Sequence, residues 1–310
     1  MNKNNFQSIK DGDYHKFCEV LKSVSHLNFK CYGDYDYKLK DNAFTPTNNN
    51  FNEEGKINMF IRHDIDQDLL VALEMAEIEN LYGIRSTFFI LLTGYHMSTW
   101  MKNDMTKNKL IFILKKIEEL GHEIGFHYDM YGEYFEDDTD CSVTLSTINF
   151  LRENGITIKG CAAHSAGRVK KYLNPFTRDF LNWTIWKELN PTPQKLTLKN
   201  KTLDIPHCSL KEYDLKYEAY FINKNKGDNN NIPSSYITDG SGFFWYISSP
   251  ADEIPSRTII SPDHLGENIN KIKNTNQITL LTHPHMWVKG DDRKKLRSEN
   301  ILRDIENFKI

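Results

Sequence analysis

Hydrophobic residues recur along this chain with two alternating periods, and the alternation predicts its elements. Over 13–25, Phe17, Val20, Leu21 and Val24 fall at helical spacing, with Asp11 or Asp13 placed to cap the run. Residues 36–56 are rich in Asp and Asn, carry Thr45-Pro46-Thr47, and predict a loop over the surface. Ile57, Met59, Phe60 and Ile61 then lead a buried strand over 57–64. Leu69, Leu70, Leu73, Met75, Ala76 and Ile78 predict a helix over 68–82, with Gly83 as its C-cap. Residues 85–92 read as a strand buried on both faces, 107–120 as an amphipathic helix ended by Gly121, and 122–127 as a third strand. A helix over 142–154, closed by Gly155, precedes a fourth strand over 156–163.

Strand and helix in alternation, with glycine after each helix, predict a parallel sheet built from right-handed βα units. The second half is less regular. A helix is expected over 183–189, short β segments within 195–222 and a polar loop over 223–231, and 235–246 holds Asp239-Gly-Ser-Gly242 followed by Phe243-Phe244-Trp245. A buried strand over 277–282 ends on His283-Pro284-His285, and an amphipathic helix follows over 293–308. No internal repeat and no linker divides the chain. The expected organisation is an N-terminal extension, 1–56, packed on one catalytic unit, 57–310.

Polar residues gather where the apolar strands stop: Asp64 and Asp66, then His127, then His164, and late in the chain His283. In a closed barrel those strand ends share one rim, where catalytic groups collect. Strand alternation puts Asp64 and Asp66 on one side, with His63 and Ile65 on the other. Two carboxylates on one face need a cation, a shared proton or hydrogen bonds; the competing reading makes Asp66 a cap for the next helix. His127 follows Gly125-Phe126 at a strand end, which favours a ligand over a core histidine. For His164, beside Ser165 and Gly167, ligand and turn residue are both open. His63 and His122 are out of phase with the others and read as structural. His285 reads as solvated, as does the acidic run Glu136, Asp137, Asp138 and Asp140.

Composition narrows the partners. The 310 residues carry a formal net charge of −3 and no basic block, which argues against nucleic acid and anionic membranes. No apolar run reaches spanning length, and the first residues lack the apolar stretch of a secretory leader. The 5 cysteines are scattered and never in CxxC spacing, as expected of reduced thiols in a cytoplasmic protein.

The strings Ile61-Arg-His-Asp-Ile-Asp66, Arg85-Ser-Thr-Phe-Phe89, Gly121-His-Glu-Ile-Gly-Phe-His127 and Leu280-Leu-Thr-His283 together resemble the polysaccharide deacetylase family, the NodB-homology fold of carbohydrate esterase type. The resemblance covers residues 57–165 and the His283 strand. It implies a distorted (β/α)7-type barrel, here with an N-terminal helical extension and an irregular C-terminal half. It also implies a divalent metal, most commonly zinc, used to remove acyl groups from sugars. Carried over by position, Asp64 is the general base, Asp66 and His127 are metal ligands, and His283 is the acid. Ile65 separates two aspartates that are adjacent in the family, so base and ligand could be exchanged between Asp64 and Asp66. The family's second histidine ligand falls on Tyr131, a poor zinc ligand, and His164 is the candidate replacement.

Such a site suits amide hydrolysis. Zinc with three protein ligands and an open position polarises a carbonyl and brings a water's pKa to about 7. A carboxylate base and a histidine acid then handle the protons. Asp129, Glu123 and Asp239 are candidates to orient the imidazoles. Arg168, Asp239 and Trp245 are candidate substrate contacts, although Trp245 and Phe244 also suit a core, and Arg62 could hold a carboxylate or pair at the surface. The expected substrate is a small or nucleotide-linked amino sugar bearing an acetyl or formyl group, in cytoplasmic surface-glycan assembly. Two rivals stand beside this reading: a sugar-binding protein that keeps the barrel without catalysis, and a metal-free carboxylate pair acting on a glycosidic bond.

Overall fold

The apolar runs become the spine of a single large sheet in a computed structural model of the chain, in which residues 13–40, 42–47, 53–93, 97–137, 141–165, 182–193, 195–198, 201–222, 234–239, 245–260, 264–287, 305 and 308 are described. In chain order, α1 (Asp13–Ser23) leads to β1 (Leu27–Phe29), the β2 (Tyr37–Lys40) and β3 (Ala43–Pro46) hairpin, and β4 (Ile57–Ile65). The βα units follow: α2 (Leu69–Leu81), β5 (Ser86–Ile90), α3 (Asp104–Glu119), β6 (Glu123–Tyr128), α4 (Met130–Glu136), α5 (Ser142–Glu153) and β7 (Ile158–Ala163). The second half adds the β8 (Lys195–Leu198) and β9 (Lys201–Asp204) hairpin, β10 (Tyr217–Glu218), β11 (Ser234–Thr238), β12 (Trp245–Ser249), β13 (Ile254–Ile260), α6 (Leu265–Asn270) and β14 (Gln277–Thr282).

The sheet order is β10-β7-β6-β5-β4-β14-β11-β12-β13, with β1 pairing the first residues of β4. Every pairing from β10 to β11 is parallel, and β12 alone runs against the rest, pairing antiparallel with both β11 and β13. The fold is therefore mixed α/β around a large, mostly parallel sheet. The described order has two ends, and closure into a barrel is not shown. Among the described residues no helix is long and apolar enough to cross a membrane.

The predicted strands and helices of residues 57–163 are present, with ends moved by local chemistry. α3 starts at Asp104, not 107, because the Asn103 side chain accepts a hydrogen bond from the Thr106 amide at 3.0 Å. Gly121 and Gly155 end their helices at φ of 90° and 86°, where a side chain would be strained. Part of the expected loop at 36–56 is instead a hairpin. Leu39 pairs with Phe44, and the Phe44 ring is buried, a contact that the Asn- and Asp-rich composition hides. The helix expected over 183–189 is a 3-10 turn at Asn182–Ile185, and β1, α4, β11, β12, β13 and α6 were not anticipated. The loop at 223–231 and most of the helix at 293–308 lie outside the described residues.

β4 has two chemically distinct faces. On one, Phe60, Arg62 and Asp64 follow in line, and the Tyr32 ring stacks on Phe60 with centroids 4.8 Å apart. On the other, His63 meets Glu79 of α2 at 2.8 Å, where Glu79 also accepts from Tyr14 at 2.7 Å and Ser86 at 2.6 Å. Both faces are buried, as befits a central parallel strand.

Candidate metal centre

Strand register brings distant residues together. Asp64 is level with Phe89 of β5, and Phe89 with Gly125 of β6, so Asp66 and His127, each two residues further on, share the next level. His127 is level with Ala162 of β7, and His164 follows two residues later. On the other side, Thr282 pairs with His63, which sets His283 beside Asp64. The described C-terminal ends of β4, β6, β7 and β14 thus deliver five polar side chains to one place.

Asp66, His127 and His164 offer ligand atoms that all lie within 4.8 Å of one another, so this group can hold a metal ion. His127 Nε2 is 3.4 Å from both Asp64 Oδ2 and Asp66 Oδ1, and His164 Nε2 is 3.8 Å from Asp66 Oδ2. The two imidazoles stand edge-on at 88° with centroids 5.3 Å apart. His127 Nδ1 lies 2.7 Å from the Ala162 carbonyl, which can only accept. The Ala162 carbonyl therefore holds a proton on Nδ1, which leaves Nε2, facing the carboxylates, as the nitrogen that a cation could take. Asp66 Oδ1 is buried without a hydrogen-bond partner. Burial alone would raise the Asp66 carboxyl, but the His127 and His164 rings beside it hold it well below the ordinary carboxylate range. An ionised, under-bonded carboxylate beside two imidazoles is a donor set that fits a divalent cation.

Asp64 is held differently. Arg62 Nε and Nη2 donate to its two oxygens, each at 2.6 Å, and the guanidinium lies 4.0 Å from the Tyr220 ring and 5.4 Å from the Phe89 ring. Burial would raise the Asp64 carboxyl; the Arg62 charge, helped by His127, outweighs it and lowers it. His283 is fixed by Asp239, whose Oδ1 accepts from the ring Nδ1 at 2.8 Å and whose Oδ2 accepts from the His283 amide at 2.7 Å. Burial would lower the His283 pKa, but Asp239, with Asp66 and Asp64 behind it, lifts it to about 9. With Nδ1 committed to Asp239, Nε2 is the nitrogen able to exchange a proton.

Asp239, expected to touch substrate, is fully buried and has both oxygens turned to His283, so it orients that ring. Trp245 is buried beside Phe17 and Trp287, a packing position. Arg168 lies outside the described residues. Tyr131 is buried with its hydroxyl 2.5 Å from Thr184 Oγ1. Glu123 does not serve a site imidazole: it accepts from Gly33, Thr87 and Tyr217 below the site. His63 and His122 both face Glu79 on the opposite side of β4. Of the acidic run, Asp137 is exposed at the end of α4.

Three residues at or behind the site went unanticipated. Tyr220 stacks on Arg62, and Asn182 bonds to Asp129, both from irregular segments that give no periodic signal. Glu79 did leave a sign, since it continues the apolar stripe of α2 through Ala72, Met75 and Ala76. No family model, curated protein or solved structure matches this chain.

Proposed function

We propose that this protein is a metal-dependent hydrolase that removes an N-acyl group, acetyl or formyl, from an amino-sugar substrate. The observation that carries the reading is the meeting of Asp66, His127 and His164 within 4.8 Å, with Asp64 at 3.4 Å from His127. Asp66 and the two histidines would hold the cation, with zinc the best match to two imidazoles and a carboxylate. A cation in that set supplies Lewis-acid polarisation of the acyl carbonyl and a more acidic water.

The chain's own groups then divide the proton work. Asp64, fixed and ionised by Arg62, is placed to take a proton from the attacking water. His283, whose Nδ1 proton Asp239 holds, is placed to give one from Nε2 to the leaving nitrogen. The sugar, the surface-glycan setting and the distorted barrel rest on the motif resemblance, an analogy at family level, and the cytoplasmic setting rests on the scattered cysteines.

A metal-supplemented screen of N-acylated sugars and sugar nucleotides for acetate or formate release tests the proposal. The expected result is release that stops with a chelator, returns with zinc, and is lost in D64N and H127A. Protein that takes up no metal yet binds the sugars would point to a non-catalytic role. Activity untouched by chelators would assign the work to the carboxylates alone.

A further inference from the structure

His164 sits beyond the end of β7, where no ladder fixes its ring, so something else must aim it. Its main chain is tied at both ends: the amide donates to the Tyr128 carbonyl at 2.9 Å, and its carbonyl accepts from Asn182 Nδ2 at 2.8 Å. Its ring lies between two carboxylates, with Nε2 3.8 Å from Asp66 Oδ2 and Nδ1 3.8 Å from Asp129 Oδ2. Nδ1 is buried and makes no hydrogen bond at that distance.

Asp129 is itself buried and held by two donors. It is 1% exposed, and its Oδ1 accepts from the Gly132 amide at 3.1 Å and from Asn182 Nδ2 at 2.9 Å. Asn182 is fully buried, and its Oδ1 accepts from the Tyr131 amide at 2.9 Å. One oxygen of Asp129 therefore caps α4 and anchors Asn182, while the other is turned to the His164 ring. A carboxylate there favours the tautomer that carries its proton on Nδ1, which leaves Nε2 to a cation shared with Asp66.

We infer that Asp129 is a positioning residue for the metal centre: through its Oδ2 it sets the tautomer and direction of His164, with Asn182 bracing both. The inference rests on the metal reading above. It explains how a histidine from a different loop can serve where the motif's own second position is Tyr131.

The test is zinc affinity of the purified protein, read by competition with a chromogenic chelator, in wild type, D129N, H164A, the D129N/H164A double variant and H127A. D129N keeps an oxygen for Gly132 and Asn182 and changes the group facing His164. The expected outcome is about 10–100-fold weaker zinc binding in D129N, with the double variant no weaker than H164A. D129N binding like wild type while H164A fails would overturn the role given to Asp129. H127A and H164A both binding like wild type would instead sink the metal reading beneath it. Nitrogen NMR of zinc-loaded wild-type protein with labelled histidine needs no variant. It should place the His164 proton on Nδ1 and the metal on Nε2, and the reverse would also overturn the inference.

Discussion

Arg62 grips Asp64 from two positions back on the same strand, with Nε on Oδ1 and Nη2 on Oδ2, both at 2.6 Å. Alternation along β4 makes the pair possible, since both side chains leave on one face. The two-pronged contact fixes the plane of the carboxylate and keeps it ionised in a buried setting.

Removing one partner should therefore be costly. R62M leaves a buried, uncompensated carboxylate, and urea unfolding should show a loss of about 3–5 kcal/mol. R62M/D64L should recover much of it. A single-variant loss below about 1 kcal/mol would mean the pair is solvated.

Gly125 controls the same pair at one remove. A Cβ there would fall 2.4 Å from the Phe89 ring, the ring that packs on Arg62. G125A should cost about 1–3 kcal/mol by overpacking, and F89L should relieve it. The comparison of denaturant midpoints for the single and double variants checks this.

His283 should make stability depend on pH in the alkaline range. Its folded-state pKa is raised to about 9, above the ordinary value near 6.5. Its contribution is fully present below about pH 6.5 and is lost as pH rises through about 9. D239N should lower the His283 titration midpoint, read by imidazole NMR on metal-free protein. An unchanged midpoint would show that Asp239 does not hold the proton in place.

Glu79 ties α1, α2, β4 and β5 together by accepting from Tyr14, His63 and Ser86. Burial would raise its carboxyl, yet His63 and His122 lower it. E79A should lose about 3–5 kcal/mol in chemical denaturation, since it strands several buried polar groups. E79Q should lose less, because an amide can still accept from two of them.

Zinc should stabilise the fold if it binds only the folded state. At 100 times its Kd the gain is about 2.7 kcal/mol, visible as a raised melting temperature. H127A should abolish that shift while keeping the metal-free melting temperature within a few degrees. A wild-type melting temperature indifferent to zinc would contradict the proposed centre.

By itself the sequence determined the βα framework of residues 57–163 and the chemistry at its strand ends. Period-2 and period-3.6 patterns, with glycines closing the helices, are local signals set by neighbouring residues. Asp64, Asp66, His127 and His283 could be picked out because each ends an apolar strand. What the tertiary structure decided was which groups meet. Parallel register set Asp66 level with His127 and brought His164 in where Tyr131 turns away to Thr184. It gave Asp239 to His283, Asp129 to His164, and the Ala162 carbonyl to His127. Those pairings span 35 to 44 residues of chain, and the irregular second half that supplies Asp239, Asn182 and Tyr220 has no periodicity to announce them. Pairing of that kind follows from packing and burial, which no local pattern encodes.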